Sequence, residues 1–475
     1  MRGRAVALLS AVLVVGCAVG PNYKRPAVDA PEVTRGQLTP VEAASLADLP
    51  WWQVFDDPVL QGLITEAIHG NYDLQTAIWR VEQSRQLVGV ARADLLPQIG
   101  YQGEAARGRT FIPEAGNQTF NSFLGAFNVA WEIDIWGRIR RATESARADY
   151  LGSEEFRRGV LLTLVSDVAE AYFGLLELDR QLTIARNTTN AFQKILDLFI
   201  YRYEGDVGTL LDVSRGRASL AGAAATIPDL ERQIAIKENQ LSLLLGHNPG
   251  DILRGNPLDE QTMPPEIPTG LPSQLVDRRP DVLVAEQQVV AANANVGVAV
   301  GNFFPRLGLS ALYGGQSSEI EALIKGTGNI WAIAGSLAGP IFQGGRLLAS
   351  YRATDAAWEA SVTQYQQTVT AAFGEVSNAL VTEEKLKGVR AEREKQVAAL
   401  QQAVDLSLIR YDEGVATYYE VLEAEQQLFI AQLELARVMR DQLLAVVLLY
   451  RALGGGWNLE VEQWAGAPPA ITTAP

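Results

Sequence analysis

The stretch RYEGDVGTLLDV, Arg202–Val213, recurs as RYDEGVATYYEV, Arg410–Val421, and this recurrence decides how the chain is organised. The two copies lie 410 − 202 = 208 residues apart. The same offset relates NYDLQTAIWRVEQSRQLVGVARADLLPQIGY, which begins at Asn71, to RPDVLVAEQQVVAANANVGVAVGNFFPRLGL, which begins at Arg279. One constant offset over so long a stretch indicates that a whole module was duplicated.

The duplication and the composition of the remaining segments predict six parts. We expect a signal peptide over residues 1–16, a lipidated proline-rich segment over 17–50, a first repeat over 51–246, a linker over 247–271, a second repeat over 272–458 and a flexible tail over 459–475. The linker is assigned because HNPGDILRGNPLDEQTMPPEIPTGL is rich in proline and glycine, which interrupt helices and strands.

The amino terminus has the pattern of an export signal. The small and apolar run from Ala5 to Val15 is too short for a membrane-spanning helix, which needs about 20 residues. Cys17 is the one cysteine of the chain, so an intramolecular disulfide is excluded. The sequence VVGC ending at Cys17 resembles a bacterial lipobox, in which the cysteine carries the lipid, and Ala18 after it implies sorting to the outer membrane. The alternative is a buried cysteine without a lipid.

Composition excludes two classes of protein. Mean hydropathy is +0.03, and after Gly16 no stretch approaches about 18 uninterrupted apolar residues. A transporter built of many membrane-spanning helices is therefore excluded. The formal net charge of −15 makes nucleic acid an unsuitable partner, because its phosphates would be repelled.

Each repeat contains a long helical hairpin. Proline is absent from Arg138 to Ile227 and from Ile341 to Ala467, and apolar residues alternate by three and four as in a coiled coil. In the first repeat the residues at this spacing are Leu161, Leu164, Val168, Ala171, Leu175, Leu178, Leu182, Ala185, Thr189, Phe192, Leu196, Phe199 and Tyr203, followed by Leu220, Ala223, Ile227, Leu230, Ile234, Lys237, Leu241 and Leu244. We expect the hairpins to turn at residues 205–209, the first tip, and at residues 414–417, the second tip. At about 1.5 Å per residue, residues 138–204 would extend roughly 100 Å.

Strand-like sections precede the long helices. From Phe123 to Ile135 apolar residues occupy every second position, which is typical of a strand with one apolar face. We expect β-hairpins over about residues 97–136 and 305–341, with loops around 110–119 and 314–328 and strands of about ten residues, the length of a tilted transmembrane strand.

Four strands cannot close a barrel, and hydrocarbon does not tolerate an open strand edge. Three copies would supply twelve strands, which lies within the range of bacterial barrels. Two alternatives stay open: surface hairpins on a soluble helical protein, and a lipid-anchored coiled-coil scaffold or pump adaptor. We expect neither an enzyme nor a metal or cofactor site, since no catalytic constellation is found and His69 and His247 are the only histidines.

Five uncommon motifs, spread over nearly the whole mature chain, resemble one known family. They are CAVGPNYKRP at Cys17–Pro26, PWWQVFDDPVLQGLI at Pro50–Ile64, DIWGRIRR at Asp134–Arg141, DRRPDVLVAEQQV at Asp277–Val289 and RYDEGVATYYEVLEAEQQL at Arg410–Leu428. The chain resembles the TolC-like outer-membrane efflux channels, in particular the NodT-type lipoprotein branch that serves resistance-nodulation-division pumps.

This resemblance implies an α+β membrane protein. Its expected form is a homotrimer with a 12-stranded transmembrane β-barrel, four strands per subunit, continuous with a long periplasmic α-helical coiled-coil barrel. The expected location is the cell outer membrane, in contact with its lipid. The expected partners are a periplasmic adaptor (membrane fusion protein) and an inner-membrane resistance-nodulation-division pump, which would send small molecules outward through the duct.

The resemblance also implies roles for residues at the tips. The adaptor would contact Gly205, Val207, Gly208 and Thr209 in the first tip and Gly414, Val415, Ala416 and Thr417 in the second. Glycine would permit a tight turn and a close backbone approach there. The alternative is a helix cap without a partner.

The resemblance places an iris-like constriction after the second tip. Tyr419 would form a hydrophobic ring and Glu423 an acidic ring one helical turn away, where the family commonly has aspartate. Three carboxylates around one axis would repel one another and attract cations. The alternative is that Tyr419 packs in a helix seam while Glu423 is a solvated surface charge. In the barrel, Glu132 and Asp134 lie on the small-residue face and are expected to line the lumen.

Overall fold

The computed structural model describes residues 18–29, 31, 35, 46–114, 116–262, 275–325, 328–459 and 463–464. The helices are α1 (Trp51–Val54), α2 (Pro58–Gly70), α3 (Tyr72–Ala93), α4 (Arg138–Glu204), α5 (Leu210–Leu245), α6 (Leu275–Arg278), α7 (Pro280–Gly301), α8 (Ile320–Ile324), α9 (Arg346–Asp412) and α10 (Tyr418–Ala452). The strands are β1 (Gln98–Ile112), β2 (Gly116–Ile133), β3 (Arg306–Ser317) and β4 (Asn329–Ala338).

Four pairs of corresponding elements begin 208 residues apart. Helices α3 and α7 have 22 residues each and start at 72 and 280, and α4 and α9 have 67 residues each and start at 138 and 346. Helices α5 and α10 start at 210 and 418, and strands β1 and β3 start at 98 and 306. The offset seen in the sequence therefore recurs in the element boundaries.

The chain forms two compact units. The first contains the described residues of Met1–Val28, Trp79–Glu155 and Val284–Gln367, and the second those of Asp29–Ile78, Phe156–Leu283 and Thr368–Pro475. The sheet belongs to the first unit and both tips belong to the second.

The four strands form one antiparallel sheet in the order β1-β2-β3-β4. In the first hairpin Gln98 lies opposite Ala130, and in the second Arg306 lies opposite Ala338, which is the same register shifted by 208 on both strands. Strands β1 and β4 are the edges of this sheet.

The two hairpins are joined by pairing between β2 and β3. Ile133 lies opposite Leu307 in this pair. Just beyond it, the ring of Trp136 stacks on Phe304 with centroids 4.6 Å apart, and its Nε1 donates to the carbonyl oxygen of Pro305 at 2.8 Å. A stack and a hydrogen bond thus lock the place where the strands meet the helices.

The strands are longer than expected, and the predicted loops were wrong in part. Residues 98–112 and 116–133 pair up to Ile112 opposite Gly116, so most of the loop predicted around 110–119 is strand. Thr110, Phe111 and Ile112 favour extended structure, and Glu114 and Gly116 have φ of 75° and 71°, which permits a very short turn. Within the loop predicted around 314–328, β3 continues to Ser317 and Ile320–Ile324 form α8.

The second unit has a large apolar core around its amino-terminal helices. Its largest fully buried side chains include Trp51, Tyr172 and Tyr450. The ring of Phe55 contacts those of Phe173 and Tyr450 edge-on, at 6.4 and 6.2 Å. This core packs the last turns of α5 and α10 against the middle of α4.

Helix α4 contains the one window, within the part of the chain that the structure describes, that is long and apolar enough to span a membrane. Its mean hydropathy is 1.5, and 72% of it is buried against the rest of the protein. A core helix of a helical bundle has the same property.

Candidate functional site at the helix tips

The first tip folds back on the last turn of α4. The N–H groups of Val207 and Gly208 both donate to the carbonyl oxygen of Arg202, at 3.0 Å each. The chain reverses at Asp206, whose φ of 59° lies in the left-handed region. Aspartate is among the few non-glycine residues that adopt this conformation at modest cost.

The two glycines of the first tip have different roles. The N–H of Gly205 keeps a helical hydrogen bond to Tyr201, at 3.1 Å, so the expectation that this glycine provides the tight turn is wrong. Gly208 lies so near α4 that an added Cβ would meet the backbone nitrogen of Tyr203 at 3.0 Å. Close approach is therefore what favours glycine at position 208.

The second tip has the same geometry with glycine at the left-handed position. Gly414, which corresponds to Asp206 because 206 + 208 = 414, has φ of 74°. The N–H of Val415 donates to the carbonyl oxygen of Arg410 at 3.0 Å, as its counterpart does in the first tip. Ala416 occupies the place of the closely packed glycine, so a methyl group is accommodated there.

The helices that follow the tips begin at threonines. Thr209 forms a reciprocal capping box with Asp212: Oγ1 accepts from the N–H of Asp212 at 3.2 Å, and Asp212 Oδ2 accepts from the N–H of Thr209 at 3.3 Å. Thr417 caps α10 with its backbone alone. The start of α5 is therefore the more firmly fixed of the two.

Each tip exposes one valine. The exposed fractions are 68% for Val207 and 63% for Val415. Together with the compact backbone beside them, these side chains offer a small apolar surface at the end of each hairpin.

An aromatic cluster lies beneath the tips, and the sequence analysis missed it. The ring of Tyr418 contacts those of Phe199 and Tyr411 edge-on, with centroids 4.7 and 4.5 Å apart. Arg202 lies over the Tyr411 ring and donates from Nη1 to its hydroxyl at 2.5 Å. The cluster joins both repeats, and the aromatic pair in ATYYEV was the only signal for it in the sequence.

Tyr419 and Glu423 lie one turn apart on the exposed side of α10. The exposed fraction of Tyr419 is 54%, and Glu423, also exposed, accepts from Nε2 of Gln427 at 3.3 Å. The residues one position earlier, Tyr418 and Leu422, are the buried ones. An aromatic ring and a carboxylate are thus presented together on a surface that the described residues leave exposed.

Other charged groups surround this surface. Arg410 lies 3.5 Å from the carboxylate of Glu420. Glu425 is partly buried, and this burial, with a smaller contribution from Asp405, raises the pKa of its carboxyl group.

The acids expected in the barrel lumen contact the first turn of α4. Glu132 accepts two hydrogen bonds from Arg138 Nη2, at 2.9 and 3.0 Å. Asp134 accepts from the N–H groups of Ile139 and Arg140 at 3.1 and 2.9 Å and so caps α4. Glu132 and Asp134 thus both bind the first turn of α4, and their lumenal role stays a prediction.

The segment after Cys17 packs at the same junction, while Cys17 itself lies outside the described residues. The N–H of Val19 donates to the carbonyl oxygen of Trp136 at 2.9 Å, and a Cβ on Gly137 would meet Cα of Ala18 at 2.6 Å. Further on, Glu286 accepts from the hydroxyl of Tyr23 at 2.9 Å. The chain therefore leaves Ala18 beside the end of β2.

Within the described ranges there is no group of three or more histidine, cysteine, aspartate or glutamate side chains that could hold a metal ion.

A family model described as "Outer membrane efflux protein" matches residues 63–247 and again residues 271–455. The second match begins 271 − 63 = 208 residues after the first, the offset of the repeat.

Two curated relatives and one solved structure are similar over nearly the whole chain. The "Probable efflux pump outer membrane protein TtgC" of Pseudomonas putida is 33% identical over 468 residues, 96% of each chain. The "Cation efflux system protein CusC" of Escherichia coli is 30% identical over 451 residues, 94% of this chain and 97% of that protein. A structure of "the outer-membrane channel OprN" has a TM-score of 0.87 and 29% identity, covering 93% of this chain and all of that one.

Proposed function

Since the chain belongs to the outer membrane efflux protein family and is the outer-membrane duct of an efflux system, we propose that three copies of it assemble around one axis to form that duct. Each copy would contribute four strands to a 12-stranded barrel and its long helices to a periplasmic tunnel. Small molecules would pass through without chemical change.

The observation that carries this proposal is the pair of open sheet edges. Strands β1 and β4 have a neighbour on one side only among the described residues. Every backbone N–H and C=O in hydrocarbon needs a partner, so these edges require strands from other copies.

The side chains of the sheet support a lipid-facing wall. Opposite positions on the four strands carry Tyr101, Phe127, Tyr313 and Trp331, which form one exposed aromatic row. A row on the other face reads Gln98, Ala130, Ser310 and Ala334. Bulky aromatic residues on one face and small or polar residues on the other are the pattern of a barrel with lipid outside and water inside.

The tips support the contact with a periplasmic adaptor, and through it with an inner-membrane resistance-nodulation-division pump. Three copies would present six pseudo-equivalent tips, each with an exposed valine beside a tightly turned backbone. Such compact ends suit a junction with the hairpin ends of another coiled coil, because little side-chain entropy is lost there.

The iris of the duct would lie just after the second tip. Tyr419 would narrow it and Glu423 would select for charge, since both are exposed on one face of α10. A ring of aromatic side chains narrows a pore, while carboxylates set its ion preference.

A lipid on Cys17 would anchor the duct. The support is the position of Ala18 beside the end of β2, because the strand ends mark the level where a barrel leaves the membrane. Mass spectrometry of the amino-terminal peptide tests this anchor: the expected acylated Cys17 contrasts with an unmodified or uncleaved chain.

The decisive experiment is the protein mass of the complex in detergent, by light scattering, followed by its conductance in planar bilayers. We expect three subunits and a pore whose cation preference falls in Glu423→Ala. Glu434→Ala, further along α10, is the control. A monomer would overturn the assembly, and an unchanged preference in Glu423→Ala would overturn the iris.

A further inference from the structure

Arg215 contacts the proposed iris from the other repeat. It lies on α5, and its guanidinium carbon is 5.4 Å from the centroid of the Tyr419 ring on α10. A second contact lies further from the tips, where Gln426 Nε2 donates to Ser219 Oγ at 2.9 Å. The exposed sides of α5 and α10 are therefore held together at the level of Tyr419 and Glu423.

The repeat gives Arg215 a second connection with this site. Position 215 corresponds to position 423, because 215 + 208 = 423. The residue that the second repeat uses for the acidic ring is thus replaced in the first repeat by a residue of opposite charge. Both follow their tips at the same distance, since α5 and α10 begin at 210 and 418.

No carboxylate of the described residues neutralises the charge of Arg215. Among the described residues it forms no ion pair, whereas other arginines near the tips do, such as Arg410 with Glu420 at 3.5 Å. A guanidinium on an aromatic face keeps its in-plane N–H groups free for an anion.

We propose that Arg215 is a specificity-determining residue of the iris and binds the anionic groups of molecules in transit. This inference rests on the proposed trimer and on the placement of Tyr419 and Glu423 in its iris. Three copies would place three arginines and three glutamates at equivalent levels around the axis, so that the constriction carries both signs of charge.

This arrangement changes the selectivity expected of the duct. An acidic ring alone would favour cations and repel anions. Alternating charges cancel at a distance but act locally, because Coulomb interactions at a few ångströms exceed thermal energy even when partly screened. The iris would then admit molecules that carry a carboxylate or another anion, with Arg215 as the point of contact.

The test is the reversal potential of single channels in planar bilayers under a potassium chloride gradient. We expect Arg215→Gln to raise the ratio of potassium to chloride permeability by about twofold or more and Glu423→Gln to lower it by a similar factor. Arg215→Lys keeps the charge and should keep the wild-type ratio. The mass of each variant is measured first to establish that it is trimeric.

Arg217→Gln is the matched control. Arg217 is exposed on the same helix two residues further on, on the other side of Gly216, where a Cβ would meet the Phe199 ring at 2.9 Å. It has the same charge and lies at nearly the same level as Arg215. Its side chain, however, leaves the helix about 200° around the axis from that of Arg215, on the side away from Tyr419.

The outcomes separate this inference from the proposed function. If Glu423→Gln changes the ratio while Arg215→Gln does no more than Arg217→Gln, the role of Arg215 is refuted and the iris stands. If neither Arg215→Gln nor Glu423→Gln changes the ratio, the iris itself is placed wrongly. A loss of the wild-type ratio in Arg215→Lys would show that charge is not what the site uses.

Discussion

At the scale of single residues, backbone conformation separates glycines that look alike in the sequence. Gly414 adopts φ of 74°, while Gly205 keeps a helical hydrogen bond and has room for a Cβ, whose nearest neighbour would be 3.5 Å away. We expect Gly414→Ala to destabilise its tip by about 1 kcal/mol, because alanine is strained in the left-handed region. Gly205→Ala, the control, should be neutral or stabilise by less than about 1 kcal/mol. Hydrogen exchange at the amides of Val415 and Val207 measures the two effects, and equal protection losses would contradict the assignment.

A second residue-scale prediction concerns Asp57, whose exposed fraction is 1%. Its Oδ1 accepts from the N–H groups of Val59 and Leu60 at 2.8 and 3.2 Å, and its Oδ2 accepts from the Tyr172 hydroxyl at 2.9 Å and Gln261 Nε2 at 2.8 Å. Asp57→Asn would turn an NH₂ group towards these donors, so we expect a loss of about 2–3 kcal/mol in the free energy of unfolding.

The control for this prediction is an exposed aspartate with a simpler role. Asp229 pairs with Arg232 three residues later at 2.7 Å on the surface of α5. Chemical denaturation should show a much smaller effect of Asp229→Asn, because solvent screens that pair. Equal losses in the two variants would mean that the network around Asp57 adds nothing to an ordinary surface contact.

At the scale of elements, the helices could be predicted better than the strands. The apolar seam from Leu161 to Phe199 can be recognised from residues close together in the sequence. Because proline is absent from the flanking residues as well, the helix could be predicted over the whole length of α4. The strand ends could not be predicted in this way. Asn117 and Gln118 look like loop residues, and only their pairing with Phe111 and Thr110 across the hairpin makes them strand.

The candidate site was predicted only in part. Tyr419 and Glu423 came from resemblance to a family, since the residues alone also allowed a packed seam and a surface charge. Arg215 was not predicted, because its contact with Tyr419 joins positions 419 − 215 = 204 residues apart on different helices. The repeat offset was the one signal in the sequence that could have indicated it.

The pairing of α9 with α10 leads to a prediction on pH. Burial, and secondarily Asp405, raises the pKa of Glu425 above its ordinary value of 4.5. The folded protein then holds this proton more tightly than the unfolded chain, so the stability contribution is fully present below pH 4.5 and is lost as pH rises through the raised value. Glu425→Gln should therefore gain stability relative to wild type as pH rises from 4.5, measured by denaturation at a series of pH values.

The control for the pH prediction is Glu434→Gln, which removes a partly exposed carboxylate, paired with Arg437, from the same helix. If its stability relative to wild type follows the same course with pH as that of Glu425→Gln, loss of charge rather than relief of burial explains the result. A constant difference between Glu425→Gln and wild type would contradict the buried-carboxyl argument.

At the scale of the whole molecule, the repeat predicts how copies join. Partners in the β2–β3 pair have residue numbers that sum to 440, as Phe123 and Ser317 do. Adding 208 to a residue number in β2 gives the equivalent position in β4, and subtracting 208 from one in β3 gives the equivalent position in β1. The sum of 440 is therefore kept, and β4 of one copy should pair with β1 of the next copy in the same register. Ile133 opposite Leu307 then becomes Ile341 opposite Ile99 between copies. Both isoleucines are exposed in the single chain, by 103% and 75%, and would cover each other.

This register is testable with engineered disulfides, because Cys17 is the only native cysteine. Ala338→Cys combined with Gln102→Cys, whose numbers sum to 338 + 102 = 440, should oxidise to covalently linked trimers on a non-reducing gel. Ala338→Cys with Glu104→Cys, two residues along the same face of β1, should link about tenfold less, since Cα atoms more than about 7 Å apart cannot be bridged without backbone movement. Preferential linking of the second pair would show that the subunits meet in another register than the repeat dictates. Absence of linking in both, with a monomeric mass, would show that the open edges are not closed by copies of this chain.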